Sequence, residues 1–122
     1  LWVCISFFLF SIQSIFLMNE KIFLVSGPLH GITIGFFSSM LFAMTTRVSL
    51  GHSGRKIHAN NFVWWLFIII QFATITRLIG DTLITYEESV LFFITSGLFL
   101  FFSFSGWIKE FFPMYLNNLN KK

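Results

Sequence analysis

The residues able to do chemistry gather around one apolar stretch. His30 and His52 bracket it, and a third imidazole, His58, follows six residues later. Neutral imidazole moves protons near pH 7 and ligates metal ions. Between the first two histidines, Gly31, Gly35, Ser39 and Ala43 recur every four residues, and Arg47 continues the series. His52 stands between Gly51 and Gly54, a flexible setting that can present a ring. His30 directly precedes the Gly31/Gly35 pair, where a polar ring needs a partner, either a packing neighbour or a ligand. His58 reads as a solvated loop histidine. If the stretch is one helix, His30 and His52 lie about 33 Å apart at 1.5 Å per residue. They therefore do not bind the same metal ion unless the helix breaks: they serve different sites, or one is structural.

The spacing of the small residues carries two readings. A Gly-x-x-x-Gly face lets a second helix backbone approach closely, and it also leaves room for a flat cofactor. Arg47 is either an anchor reaching the membrane interface or a charge holding an anionic group inside the bundle. Further along, Gln71, Thr74 and Arg77 are polar enough to face protein rather than lipid. Arg77 and Asp81 are four apart and can pair, in the less favourable helical order. Ser96, Ser103 and Ser105 are expected to bond back within their own helix. Met44 is a soft thioether whose ordinary role in a membrane helix is packing. No Walker loop, Gly-x-Ser-x-Gly elbow or His-Glu-x-x-His motif is present, and no two membrane-embedded carboxylates could form an acid/base pair.

The elements that position these residues follow from composition. Of the 122 residues, 56% are hydrophobic and 11% charged, with 19 Phe and 4 Trp, against about 25% charge in a soluble domain. Such a chain cannot cover a water-soluble surface, so a disordered chain, a disulfide-stapled module and an ordinary cytosolic enzyme are excluded. The one cysteine, Cys4, allows no internal disulfide. The net charge of +3 is read as basic residues flanking membrane spans rather than as a nucleic-acid surface.

Spans of about 20 apolar residues are expected near 1–18, 29–48, 62–79 and 86–107, giving an all-α integral membrane bundle of about four transmembrane helices within a single unit, 1–122. The runs are too long and too little alternating for strands. Pro28 suits a first helical turn, Asn60 and Asn61 suit N-caps, and Gly80 suits a C-terminal cap. Short connections make neighbouring spans antiparallel. Arg47, Arg55, Lys56, Lys109, Lys121 and Lys122 fall on one side and Lys21 and Arg77 on the other. That bias places the 51–61 loop and both ends of the chain in the cytoplasm. The chain starts at Leu1 without a Met or a signal-peptide pattern, so it is expected to continue upstream.

The run from Leu29-His30-Gly31-Ile32-Thr33-Ile34-Gly35 to Met44-Thr45-Thr46-Arg47-Val48-Ser49-Leu50-Gly51-His52-Ser53-Gly54-Arg55 resembles the NnrS family, polytopic bacterial haem- and copper-containing proteins linked to the nitric oxide response. The family joins a His-Ala-Leu-Thr-x-Gly helix start to Met-x-x-Arg-x-x-Leu-Gly-His-Thr-Gly-Arg. Ser53 keeps the hydroxyl of the usual Thr, Lys56 stands where Pro is frequent, and Ile32 replaces a commoner Ala or Leu. Ala73, Arg77, Trp107 and Pro113 extend the likeness more loosely. Family members are roughly three times longer, with about a dozen spans by the length rule, so this chain resembles their C-terminal third.

The resemblance implies haem and copper as cofactors, with His30 and His52 as metal-ligand candidates. Arg47 and Arg55 would hold propionates by charge-assisted hydrogen bonds, while Gly31 and Gly35 leave room for a porphyrin face. It implies a bacterial inner-membrane protein that meets nitric oxide or a related small ligand, packs against the remaining helices of a longer chain and binds no nucleic acid. Two other readings stay open. One is a non-catalytic four-helix membrane subunit. The other is a piece of a small transporter, with Gln71, Thr74 and Arg77 along its path.

Overall fold

The computed structural model describes residues 1–19, 26–53, 60–82 and 86–119. Among these there are helices and no strands: α1 (Trp2–Met18), α2 (Gly27–His30), a π-helical segment (Gly31–Ser38), α3 (Ser39–His52), α4 (Asn61–Thr82) and α5 (Tyr86–Leu119). From Gly27 to His52 the chain is one continuous rod of 26 residues. Three rods, Gly27–His52, Asn61–Thr82 and the Ser89–Leu116 part of α5, are long and apolar enough to cross a membrane, whereas Trp2–Met18 is a shorter apolar helix. The protein is thus an all-α membrane bundle whose first expected span, at 17 residues, is the short one.

The starts of the rods are where local chemistry puts them. Pro28 occupies the first turn of α2, where its missing N–H is no loss. The carboxylate of Asp81, on α4, accepts hydrogen bonds from the backbone N–H of Ser26 (3.0 Å) and Gly27 (2.5 Å), so a side chain from a neighbouring helix caps this end. Asn60 caps α4 through its Oδ1, which accepts from Val63 N–H at 2.8 Å. The ends differ from expectation. Gly80 does not close a helix: α4 runs on to Thr82, and Gly80 is instead a notch in which Phe92 and Phe93 sit, 2.9 Å from where a Cβ would stand. The last helix also continues past Trp107 to Leu119, with Pro113 inside it. At 34 residues it is about 51 Å long, well beyond a hydrocarbon core of about 30 Å.

The bundle is inside out relative to a soluble domain. Leu91, Phe101 and Phe102 on α5 and Phe7 and Phe8 on α1 are 60% exposed or more, an apolar surface that suits a bilayer. Lipid is as apolar as leucine, so helices associate there by close packing and hydrogen bonds rather than by hydrophobic expulsion. The interior accordingly holds serines. Ser96 Oγ donates to the Ala73 carbonyl and Ser103 Oγ to the Leu66 carbonyl, both at 2.8 Å. These serines, expected to bond back within α5, bond across to α4. With Ser89 they repeat every seven residues, and all three are buried, the spacing of a seam between two long helices. Phe42, Leu50, Val63, Leu66, Ile70 and Phe111 form the apolar core beside that seam.

Candidate functional site

The small-residue stripe is the first feature the fold resolves. A Cβ at Gly31 would strike Ser6 Oγ, and one at Gly35 would stand 2.7 Å from the Trp2 ring and 3.0 Å from Thr74 Cγ2. The space that the two glycines leave is therefore taken by α1 and α4. This is also where the helix becomes π-helical, a form more often confined to one turn and frequent at functional sites. Trp2 is fixed there by its indole N–H, which donates to Gln71 Oε1 at 2.6 Å, while Gln71 Nε2 donates to Ser39 Oγ at 2.8 Å. Gln71 so ties α1, α4 and α3 together. Thr74 is fully buried and bonds back to the Ile70 carbonyl. Beyond Trp2 the stripe opens. Gly35, Ser39 and Ala43 line a groove of about 450 Å³ with Phe67 and Gln71.

At the far end of the rod, Ala43 and Phe67 also line a second groove, about 260 Å³, with Phe42, Leu50, Val63, Trp64 and Arg47. Its wall is aromatic: Trp64 stacks on Phe67 with ring centres 5.7 Å apart, and Phe42 tilts against Phe67 at 6.3 Å. Arg47 stands at its rim and also lines a depression of about 400 Å³ with Val48, Gly51 and His52. Arg47 and His52 are both exposed, in the last two turns of α3. A cation suits that position, because the helix presents unpaired carbonyls there. Two cross-links from α5 hold this end of α3. Trp107 Nε1 donates to Thr46 Oγ1 at 2.9 Å, and the Ser49 and Tyr115 hydroxyls share a bond of 2.6 Å. Arg55, the other expected anion anchor, and His58 lie outside the described residues. Met44 is exposed on the outer face of α3.

The opposite end holds His30. Arg77 Nε donates to His30 Nε2 at 3.3 Å, and the guanidinium lies 4.1 Å over the Phe93 ring, a cation–π contact. Arg77 and Asp81, spaced so that they can pair, turn to different partners: Arg77 to His30 and Phe93, Asp81 to the start of α2. Sequence reasoning singled out His30 and Arg77 separately but missed their contact, because 47 residues separate them. His30 and His52 sit at the two ends of one unbroken rod, so they do not meet at one ion. Among the described residues no group of three His, Cys, Asp or Glu side chains could hold a metal.

Bundle, apolar exterior and buried polar cross-links define an integral membrane protein of several helices. Within that class, the family model described as NnrS protein matches residues 1–118, and the chain belongs to the NnrS family. No curated protein and no solved structure matches it.

Proposed function

We propose that this chain is part of a membrane haem–copper protein of the bacterial nitric oxide response, and that its His52 end is the cofactor-facing part. One observation carries the reading: Arg47 lines both an aromatic groove and the depression that holds His52. Haem is an apolar disc with anionic propionates and an iron that takes imidazole. An aromatic groove, a guanidinium at its rim and an exposed imidazole five residues further on match those three demands. In this reading His52 ligates metal and Arg47 holds a propionate. The macrocycle sits at Ala43 and Phe67, because the faces of Gly31 and Gly35 already meet Ser6, Trp2 and Thr74. Bound haem and copper would supply the redox-active centre at which nitric oxide is met. This chain's own part is to present the imidazole, neutralise the propionate and keep the groove apolar.

The basic-residue bias supports a bacterial inner-membrane location with the 51–61 loop and the C-terminus cytoplasmic. The exposed apolar faces would meet lipid and the remaining helices of a longer chain. Gln71 and Arg77 are engaged in bonds between helices, which favours this reading over a transporter path.

The test is the visible spectrum and the iron and copper content of the purified full-length protein, beside His52→Ala and Arg47→Gln. The expected result is a Soret band in the wild type, lost or displaced in His52→Ala, and lowered haem occupancy in Arg47→Gln. Wild-type spectra and metal content in both variants would overturn the assignment.

A further inference from the structure

His30 is engaged on one ring nitrogen and bare on the other. The Nε of an arginine carries a hydrogen and has no lone pair to offer. The 3.3 Å bond from Arg77 Nε can therefore end only on a lone pair of His30 Nε2. A neutral imidazole has one such lone pair and one N–H, so with Nε2 accepting, the hydrogen belongs to Nδ1. That Nδ1 is buried and has no partner among the described residues.

The contacts around the pair leave little freedom to rearrange. Phe93 sits in the notch of Gly80, with its Cε1 2.9 Å from where a Cβ would be. Arg77 lies on the Phe93 ring at 4.1 Å, and His30 tilts over the same ring with centres 6.4 Å apart. On the other flank Asp81 holds Ser26 and Gly27, and the His30 backbone N–H donates to the Ser26 carbonyl at 2.9 Å. Both the guanidinium and the backbone that carries the imidazole are thus seated by neighbours from α4 and α5.

We propose that Arg77 locks His30 in its Nδ1–H tautomer, which makes the ring a hydrogen-bond donor at this end of the bundle and withholds it from metal. A metal at Nδ1 needs the lone pair there. The hydrogen would then move to Nε2 and face the N–H of Arg77. A metal at Nε2 would displace Arg77 outright. Metal ligation by His30 and the Arg77 bond exclude one another, and the partner that Nδ1 awaits is a hydrogen-bond acceptor. Arg77 is a positioning residue in this scheme. The proposal does not depend on what His52 binds.

The experiment is nitrogen NMR of the full-length protein with ¹⁵N-labelled histidine rings. The His30 signals are assigned by their absence from His30→Asn. The expected result is an Nδ1–H tautomer in the wild type and in Arg77→Lys, which keeps a donor, and the Nε2–H tautomer in Arg77→Leu. An Nε2–H or metal-shifted His30 in the wild type would overturn the proposal, as would an Arg77→Leu spectrum identical to wild type. Should Arg77→Leu not fold, the wild-type spectrum still decides. The iron and copper content of His30→Asn gives an independent reading: wild-type levels are expected, and loss of either metal contradicts the proposal. A wild type without haem would end the reading of the His52 end and leave this result standing.

Discussion

Replacing Gly35 by alanine probes a close helix contact in the bundle. The added Cβ would stand 2.7 Å from two Trp2 ring atoms and 3.0 Å from Thr74 Cγ2. Thr74 is fully buried, and the Trp2 ring is rigid and tied to Gln71 at 2.6 Å. Relief requires the indole to move, which breaks that bond. Overpacking of this kind costs about 1–3 kcal/mol, and an interhelical hydrogen bond in a bilayer adds about 0.6–2 kcal/mol. The expected loss is therefore about 2–5 kcal/mol in the docking of α1. Gly97 supplies the control, because a Cβ there meets nothing within 4 Å. The assay is equilibrium unfolding of the full-length protein in mixed micelles, followed by circular dichroism and tryptophan fluorescence. In a Trp2→Ala background the cost of Gly35→Ala should fall by at least about 1 kcal/mol, since the clashing partner is gone. Equal behaviour of Gly35→Ala and Gly97→Ala, or no coupling to Trp2, would refute the packing role.

The remaining perturbations address the other cross-links. Ser103→Ala and Ser96→Ala each remove one bond from α5 to an α4 carbonyl and should cost about 0.6–2 kcal/mol in the same unfolding assay; Ser105→Ala, on the exposed face, should cost nothing measurable. Asp81→Ala removes the cap on Ser26 and Gly27 and should lower stability by about 0.5–2 kcal/mol. Hydrogen exchange at those two amides should speed up in Asp81→Ala and recover in part in Asp81→Asn, which keeps an acceptor.

The helices were legible because apolar run length is a strong signal, and Pro28 and Asn60 marked two starts by chemistry that acts within a few residues. Helix ends were less legible. Gly80 reads the same whether it closes a helix or makes a notch for Phe92 and Phe93, and only the fold distinguishes the two. Lys109 and Glu110 do not stop a helix that is leaving the membrane, so α5 outran the apolar stretch. The π-helical turn over Gly31–Ser38 has no side-chain signature that separates it from an α-helix.

At the site, His30, Gln71 and Arg77 were visible as polar groups that lipid would penalise. Their partners were not, because the contacts span 47 residues for His30 with Arg77 and 69 for Trp2 with Gln71. Arg77 with Asp81 illustrates the opposite error. Spacing on one helix offered a pair, and stronger demands from α2 and Phe93 drew the two charges apart.

Exchange of one ligand tests the function most directly. His52→Gly in the full-length protein removes the imidazole, and free imidazole added to the purified variant can take its place. The expected result is an altered or missing Soret spectrum in His52→Gly that returns toward wild type as imidazole is added. A His52→Gly spectrum indistinguishable from wild type before any imidazole is added would contradict the assignment of His52 as a haem ligand.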